Sequence, residues 1–154
     1  MKIDQIYMSE ALKQAQTAYE QDEIPVGAVV VYQGRIIAQA HNQTRLLHDP
    51  TAHAEMIALT QAANYLKSER LLNCTLYATI EPCPMCAGAL IWARIKRLVF
   101  GADDPKAGAC GSIMNIISEK RLNHRLSLAK GVLADQCGAL ISDFFRKQRA
   151  RGKK

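Results

Sequence analysis

The side chains with the most chemistry in this chain are His53-Ala54-Glu55 and, 27 residues after Glu55, Pro82-Cys83-Pro84-Met85-Cys86. Cys83 and Cys86 stand three apart at a predicted helix start, so both sulfurs fall on one face of the first turn. Free N–H groups and a partial positive charge at that end lower thiol pKa values and favour thiolates, the form that ligates Zn2+. His53, near another predicted helix start, can supply a third ligand through one neutral imidazole nitrogen. Two thiolates balance the charge of the ion. Three protein ligands on a tetrahedral ion leave one position for water, as in catalytic rather than structural sites. Bound water then falls toward a pKa of about 7, and a base must still take its proton. Glu55 sits two residues from His53 and can do this without being a ligand.

Other readings of these residues leave more unexplained. A Cys-x-x-Cys redox pair of the thioredoxin kind would leave His53 and Glu55 idle, and a structural zinc site would want a fourth Cys or His. Cys74, Cys110 and Cys137 are single and unpaired in spacing, as core or loop thiols are. His41, His48 and His124 have no second ligand at metal spacing.

The elements that must position the motif follow from periodicity. Ile6, Met8, Ala11, Leu12, Ala15, Ala18 and Tyr19 predict an amphipathic helix over about 4–20. Residues 28–32 and 35–38 form a β-hairpin across Gln33-Gly34. Asp49-Pro50 breaks the chain before a helix over 52–66, and 75–80 is a strand. Pro82 and Pro84 open a helix over about 83–93, since proline is tolerated in a first turn. Residues 97–101 are a strand, 112–117 a short helical piece, 126–132 a strand, and 134–149 a final helix. This order predicts a three-layer α/β/α domain with a mixed sheet of about five strands.

At 154 residues the chain has room for one domain, and its 49% apolar and 22% charged shares are those of a globular protein. No apolar run approaches the ~20 residues of a membrane span, and Met1 to Gln5 lack the apolar stretch of a signal peptide. Five cysteines, an odd number, argue against a disulfide framework and for a reducing, cytoplasmic setting. The net charge of +6 is carried by residues 146–154, which hold six cations and no acid. The body, 1–149, is thus expected to be the folded domain and 150–154 a basic tail suited to a polyanion.

His-x-Glu followed by Pro-Cys-x-x-Cys is the signature of zinc nucleobase deaminases, a class for which tRNA adenosine deaminases are a standing example. Pro50 to Glu55, Thr75 to Ala89, Gly101 to Lys106, Asn123-His124-Arg125 and Ser142 to Arg146 together resemble the bacterial tRNA-specific adenosine deaminases, within the cytidine/deoxycytidylate deaminase superfamily. The resemblance runs from about Ile3 to Arg149; Pro84, where a small aliphatic residue is expected, departs from it. It implies a cytidine-deaminase-like fold, one Zn2+ per chain on His53, Cys83 and Cys86, and a homodimer. It also implies hydrolytic deamination of adenosine to inosine at the wobble position of a tRNA anticodon, with Glu55 moving the protons.

The same resemblance implies that Asn42 reads the base, an amide being able to pair with adenine through donor and acceptor together. Asp104 and Asn123 match positions that hold flipped nucleotides. Of Phe144 and Phe145, helical spacing makes one a core residue; the other, with Arg146, would contact the anticodon loop. Two other functions compete: a deaminase of free nucleosides or nucleobases, and a silent zinc RNA-binding module, in which Glu55 beside an open metal position has no purpose.

Overall fold

A computed structural model describes residues 2–152. Five strands form one mixed sheet in the order β2-β1-β3-β4-β5: β1 (Gly27–Tyr32), β2 (Arg35–His41), β3 (Cys74–Ile80), β4 (Arg97–Ala102) and β5 (Ser127–Lys130). β1 and β2 pair antiparallel through a two-residue turn in which Gln33 and Gly34 both have positive φ, the mirror-image turn that suits strand twist. β1 also pairs antiparallel with β3, whereas β3, β4 and β5 are mutually parallel.

Alternation along the strands splits the core in two. Ala28, Val30, Leu76, Ala78, Leu98 and Phe100 point to the face covered by α2 (Ala54–Leu66) and α3 (Pro84–Trp92). Val29, Val31, Tyr77 and Val99 point to the face covered by α1 (Lys2–Glu20) and α4 (Ala134–Ala150). α1 lies close to β1 because residue 27 is glycine: a Cβ there would come within 2.0 Å of the Ala11 carbonyl oxygen. On this face Asp4, almost wholly buried, accepts both guanidinium nitrogens of Arg97 at 2.8 Å and the Tyr77 hydroxyl at 2.7 Å. Arg97 holds the Asp4 carboxyl down at about 2, against the opposing effect of burial.

The three-layer architecture and five-stranded sheet are those expected from the sequence. Residues 112–117 are not helical, however, and the strand expected over 126–132 is confined to Ser127–Lys130. At 112–117 the backbone N–H groups that a helix would use are engaged elsewhere. Ser112 donates to the Glu81 carboxylate, Ile113 to the Gly108 carbonyl and Ile116 to the Ala109 carbonyl, while Cys110 and Asn115 form an isolated bridge. α4 runs on to Ala150, so the first residue assigned to the tail is helical; Lys153 and Lys154 lie outside the described residues.

Candidate active site

His53 is the N-cap of α2 and Cys83 the N-cap of α3, both with extended backbone and neither side chain capping its own helix. Pro84 occupies the first turn of α3, where its missing N–H costs nothing. Cys86 follows in the same turn and is fully buried. The two helix starts bring His53, Cys83 and Cys86 into one group, with their ligand atoms within 4.8 Å of one another. His53 Nδ1 lies 3.5 Å from each sulfur. Tetrahedral zinc with Zn–N and Zn–S bonds of about 2.0–2.1 and 2.3 Å separates N from S by about 3.5–3.6 Å. The donor set and its spacing therefore fit Zn2+ with one position left over.

The two thiols are unequal, and only Cys83 is shifted toward the thiolate that ligates metal. The Cys83 thiol is pulled down to about 4, mainly by the hydrogen bond from Cys86 and further by His53, against burial. Cys86 is pushed up by the same contact with Cys83 and by burial. The hydrogen bond with Cys83 raises the His53 pKa, with burial opposing. Before metal enters, one thiolate and its neighbours thus share protons that binding must displace.

Glu55 lies in the first turn of α2 and is 3% exposed. Burial lifts its carboxyl to about 7, with His53 and its own backbone N–H pulling the other way. A carboxyl that burial makes more basic than usual is better suited to take up a proton and hand it on.

His53, Cys83 and Glu55 line a cavity of about 540 Å³, with Cys86 buried behind them. One wall is the loop after β4, with Asp103, Asp104, Pro105 and Lys106. Opposite is a face of α4 made by Gly138, Ile141, Ser142, Phe145 and Arg149. Asn42, just past β2, lines it too. Its Nδ2 donates to the Ile24 carbonyl at 3.3 Å, and its Oδ1 is the one buried side-chain polar atom among the described residues without a hydrogen-bond partner.

Asn42, Asp104 and Phe145 thus border the cavity together with His53, Cys83 and Glu55, and three other candidates do not. Phe144 is buried, edge-on to Tyr19 on one side and to Phe145 on the other. Arg146 is one position past the cavity face of α4 and pairs with Asp143. Asn123 sits away from this cavity, in a small recess with Ile91, Trp92 and Arg94. Sequence reasoning passed over Arg149, although it follows Phe145 by four residues and so shares its helical face. Arg146, Lys147 and Arg151 are all paired with acids. Among the described residues, the Arg149 and Lys106 side chains have no hydrogen bond or ion pair, and both are exposed at the cavity rim.

Comparison with known proteins agrees with this geometry. The MafB19-like deaminase family profile matches residues 3–149. A tRNA-specific adenosine deaminase of Bacillus subtilis is 47% identical over 153 residues, spanning 99% of this chain and 95% of that protein. One from Haemophilus influenzae is 48% identical over 99% of this chain and 88% of its own. Among solved structures, one from work on A-to-I editing by tRNA:A34 deaminases at the wobble position superposes with a TM-score of 0.85 at 43% identity. It covers 88% of this chain and 98% of its own. A guanine deaminase from Bacillus subtilis superposes at 0.63 with 38% identity, covering 70% of this chain and 69% of its own. Matched across its folded length and close to half identical to these relatives, the chain belongs to the MafB19-like deaminases and, within them, to the tRNA-specific adenosine deaminases.

Proposed function

We propose that this protein hydrolytically deaminates adenosine to inosine at the wobble position of a tRNA anticodon. The observation that carries the reading is the closure of His53, Cys83 and Cys86 on one metal position beside buried Glu55, in a cavity rimmed by unpaired cations. Zn2+ on that triplet supplies a Lewis acid that activates water for addition to the base.

Every proton movement falls to Glu55. It takes a proton from the attacking water and delivers it to N1 of adenine as the water oxygen bonds to C6. It then carries the second proton to the departing amine, which leaves as ammonia while C6 becomes a carbonyl. Water and adenosine are consumed; ammonia and inosine are released. Asn42 presents its free Oδ1 to a donor on the base, a pairing that would satisfy an otherwise orphaned buried acceptor. Asp104 and Phe145 border the extruded nucleotide, and Lys106 and Arg149 hold flanking phosphates.

The rim cations favour RNA over a free nucleobase, which has no phosphate for them. Exposed Trp92 and Leu122 share one recess with Asn123, an apolar surface at the end of α3 that supports the homodimer the resemblance implies. All five cysteines are free thiols, in keeping with a reducing, cytoplasmic setting. Among the described residues no helix is long and apolar enough to cross a membrane. Incubation with total tRNA, followed by inosine mapping, tests the reading. Inosine confined to anticodon wobble positions is expected; equal activity on free adenosine or guanine would overturn it.

A further inference from the structure

Glu81 directly follows β3 and is 2% exposed, yet it carries a carboxylate. That carboxylate accepts hydrogen bonds from the backbone N–H groups of Asp104, Cys110 and Ser112, each at 3.0 Å, and from the Ser112 hydroxyl. All four donors belong to the loop after β4, 23 to 31 residues away in sequence. The loop passes so close that a Cβ on residue 108 would fall 2.3 Å from the Glu81 carboxyl group, so any larger residue there would have to push the carboxylate out of place. Asp104 in turn accepts the N–H groups of Lys106 and Ala107 at 3.0 and 3.2 Å, which closes a tight turn. The part of the loop held this way is the cavity wall that carries Asp104 and Lys106.

A buried charge is costly unless its acceptor sites are filled, and an apolar residue could fasten a loop to a core without that cost. What a carboxylate adds is several lone pairs on which backbone donors from separate points of a loop can converge. It fixes not only where the loop lies but which way its turn faces. We propose that Glu81 is a positioning residue for substrate recognition. By gathering the 104–112 loop around one carboxylate it presents Asp104 and Lys106 to the RNA, and its effect falls on RNA engagement rather than on metal binding or proton transfer. The proposal deepens the deaminase reading above and rests on it.

The test compares wild type with Glu81→Gln, Gly108→Ala and Ser112→Ala on a tRNA anticodon stem-loop. It measures zinc content, kcat, KM, and hydrogen exchange at residues 104–112. Gln offers a single acceptor oxygen and turns an NH2 group toward N–H donors, so Glu81→Gln should raise KM about tenfold or more, with kcat within about threefold and one zinc per chain. The amides of Cys110 and Ser112 should exchange faster. Gly108→Ala should act in the same direction, and the double variant should be no worse than Glu81→Gln alone, because both changes release one contact. Ser112→Ala, which keeps the carboxylate and the backbone bonds, should raise KM by only a few fold and serves as the test if Glu81→Gln fails to fold. An unchanged KM in all variants of an active wild type, or a loss of zinc or kcat at constant KM, would overturn the proposal alone. A wild type that makes no inosine would overturn the deaminase reading and this proposal with it.

Discussion

Removing the two unpaired rim cations should change how RNA binding responds to salt, by an amount the ion-pair pattern sets. Of the cations in residues 146–154, Arg146, Lys147 and Arg151 already hold acids, Arg149 does not, and Lys153 and Lys154 lie outside the described residues. Lys106 joins Arg149 at the cavity rim. If each neutralises one phosphate of a single-stranded loop, Lys106→Ala with Arg149→Ala should reduce the slope of log Kd against log salt by about 0.7 × 2 ≈ 1.4. Between 50 and 200 mM salt, a range of about 0.6 log units, wild type would then lose about sevenfold more affinity than the double variant. Arg146→Ala, whose guanidinium is committed to Asp143, should change the slope by less than about 0.3. Fluorescence anisotropy of a labelled anticodon stem-loop at four or five salt concentrations measures this. Equal slopes for wild type and the double variant, or an Arg146→Ala effect as large as that of Arg149→Ala, would refute the assignment of phosphate contacts.

Other changes have equally defined outcomes. Asp4→Asn should lower folding stability at pH 7 by at least about 2 kcal/mol, from a shift of roughly two pKa units at about 1.4 kcal/mol each. Because the Asp4 carboxyl is held below its unfolded value of 3.8, that contribution is complete above about pH 4. It fades as pH falls toward 2, and urea titrations of the two proteins should converge there. Asn42→Ala should cut kcat/KM on the stem-loop about 10- to 100-fold, the cost of a lost polar contact to the base, without changing zinc content. Gly27→Ala should destabilise the fold by about 1–3 kcal/mol or more, measured by thermal or urea melts, because its Cβ meets the backbone of α1. Trp92→Glu should shift sedimentation toward monomer if the exposed surface at the end of α3 joins two copies.

That His53, Cys83 and Cys86 would come together was legible in the sequence because they sit at helix starts, where local rules are strong. Pro84 and the preceding Cys83 mark the opening of α3, and the His53-to-Glu55 spacing fits the first turn of α2. The sheet was legible for a similar reason: residues of β1, β3 and β4 alternate between two faces, each with its own core. The loop after β4 was not. Its conformation is dictated by Glu81, whose partners lie more than 20 residues downstream, so apolar spacing at 112–117 mimics a helix that the available acceptors do not support. On α4, the bias of cations toward the end of the chain hid the distinction that matters. Arg146 and Arg149 are alike in composition and differ only in the helical face they occupy.

The central claim is that a His-Cys-Cys zinc site with an open position and a separate proton carrier performs the deamination. Metal analysis and inosine mapping on wild type and Glu55→Ala, purified side by side, test it most directly. The account predicts one zinc per chain in both proteins, wobble inosine from wild type, and a loss of several powers of ten in rate from the variant, since proton transfer worth about 10²–10⁴ acts twice. Inosine formed by Glu55→Ala at a rate near wild type, or by wild type freed of zinc, would contradict it.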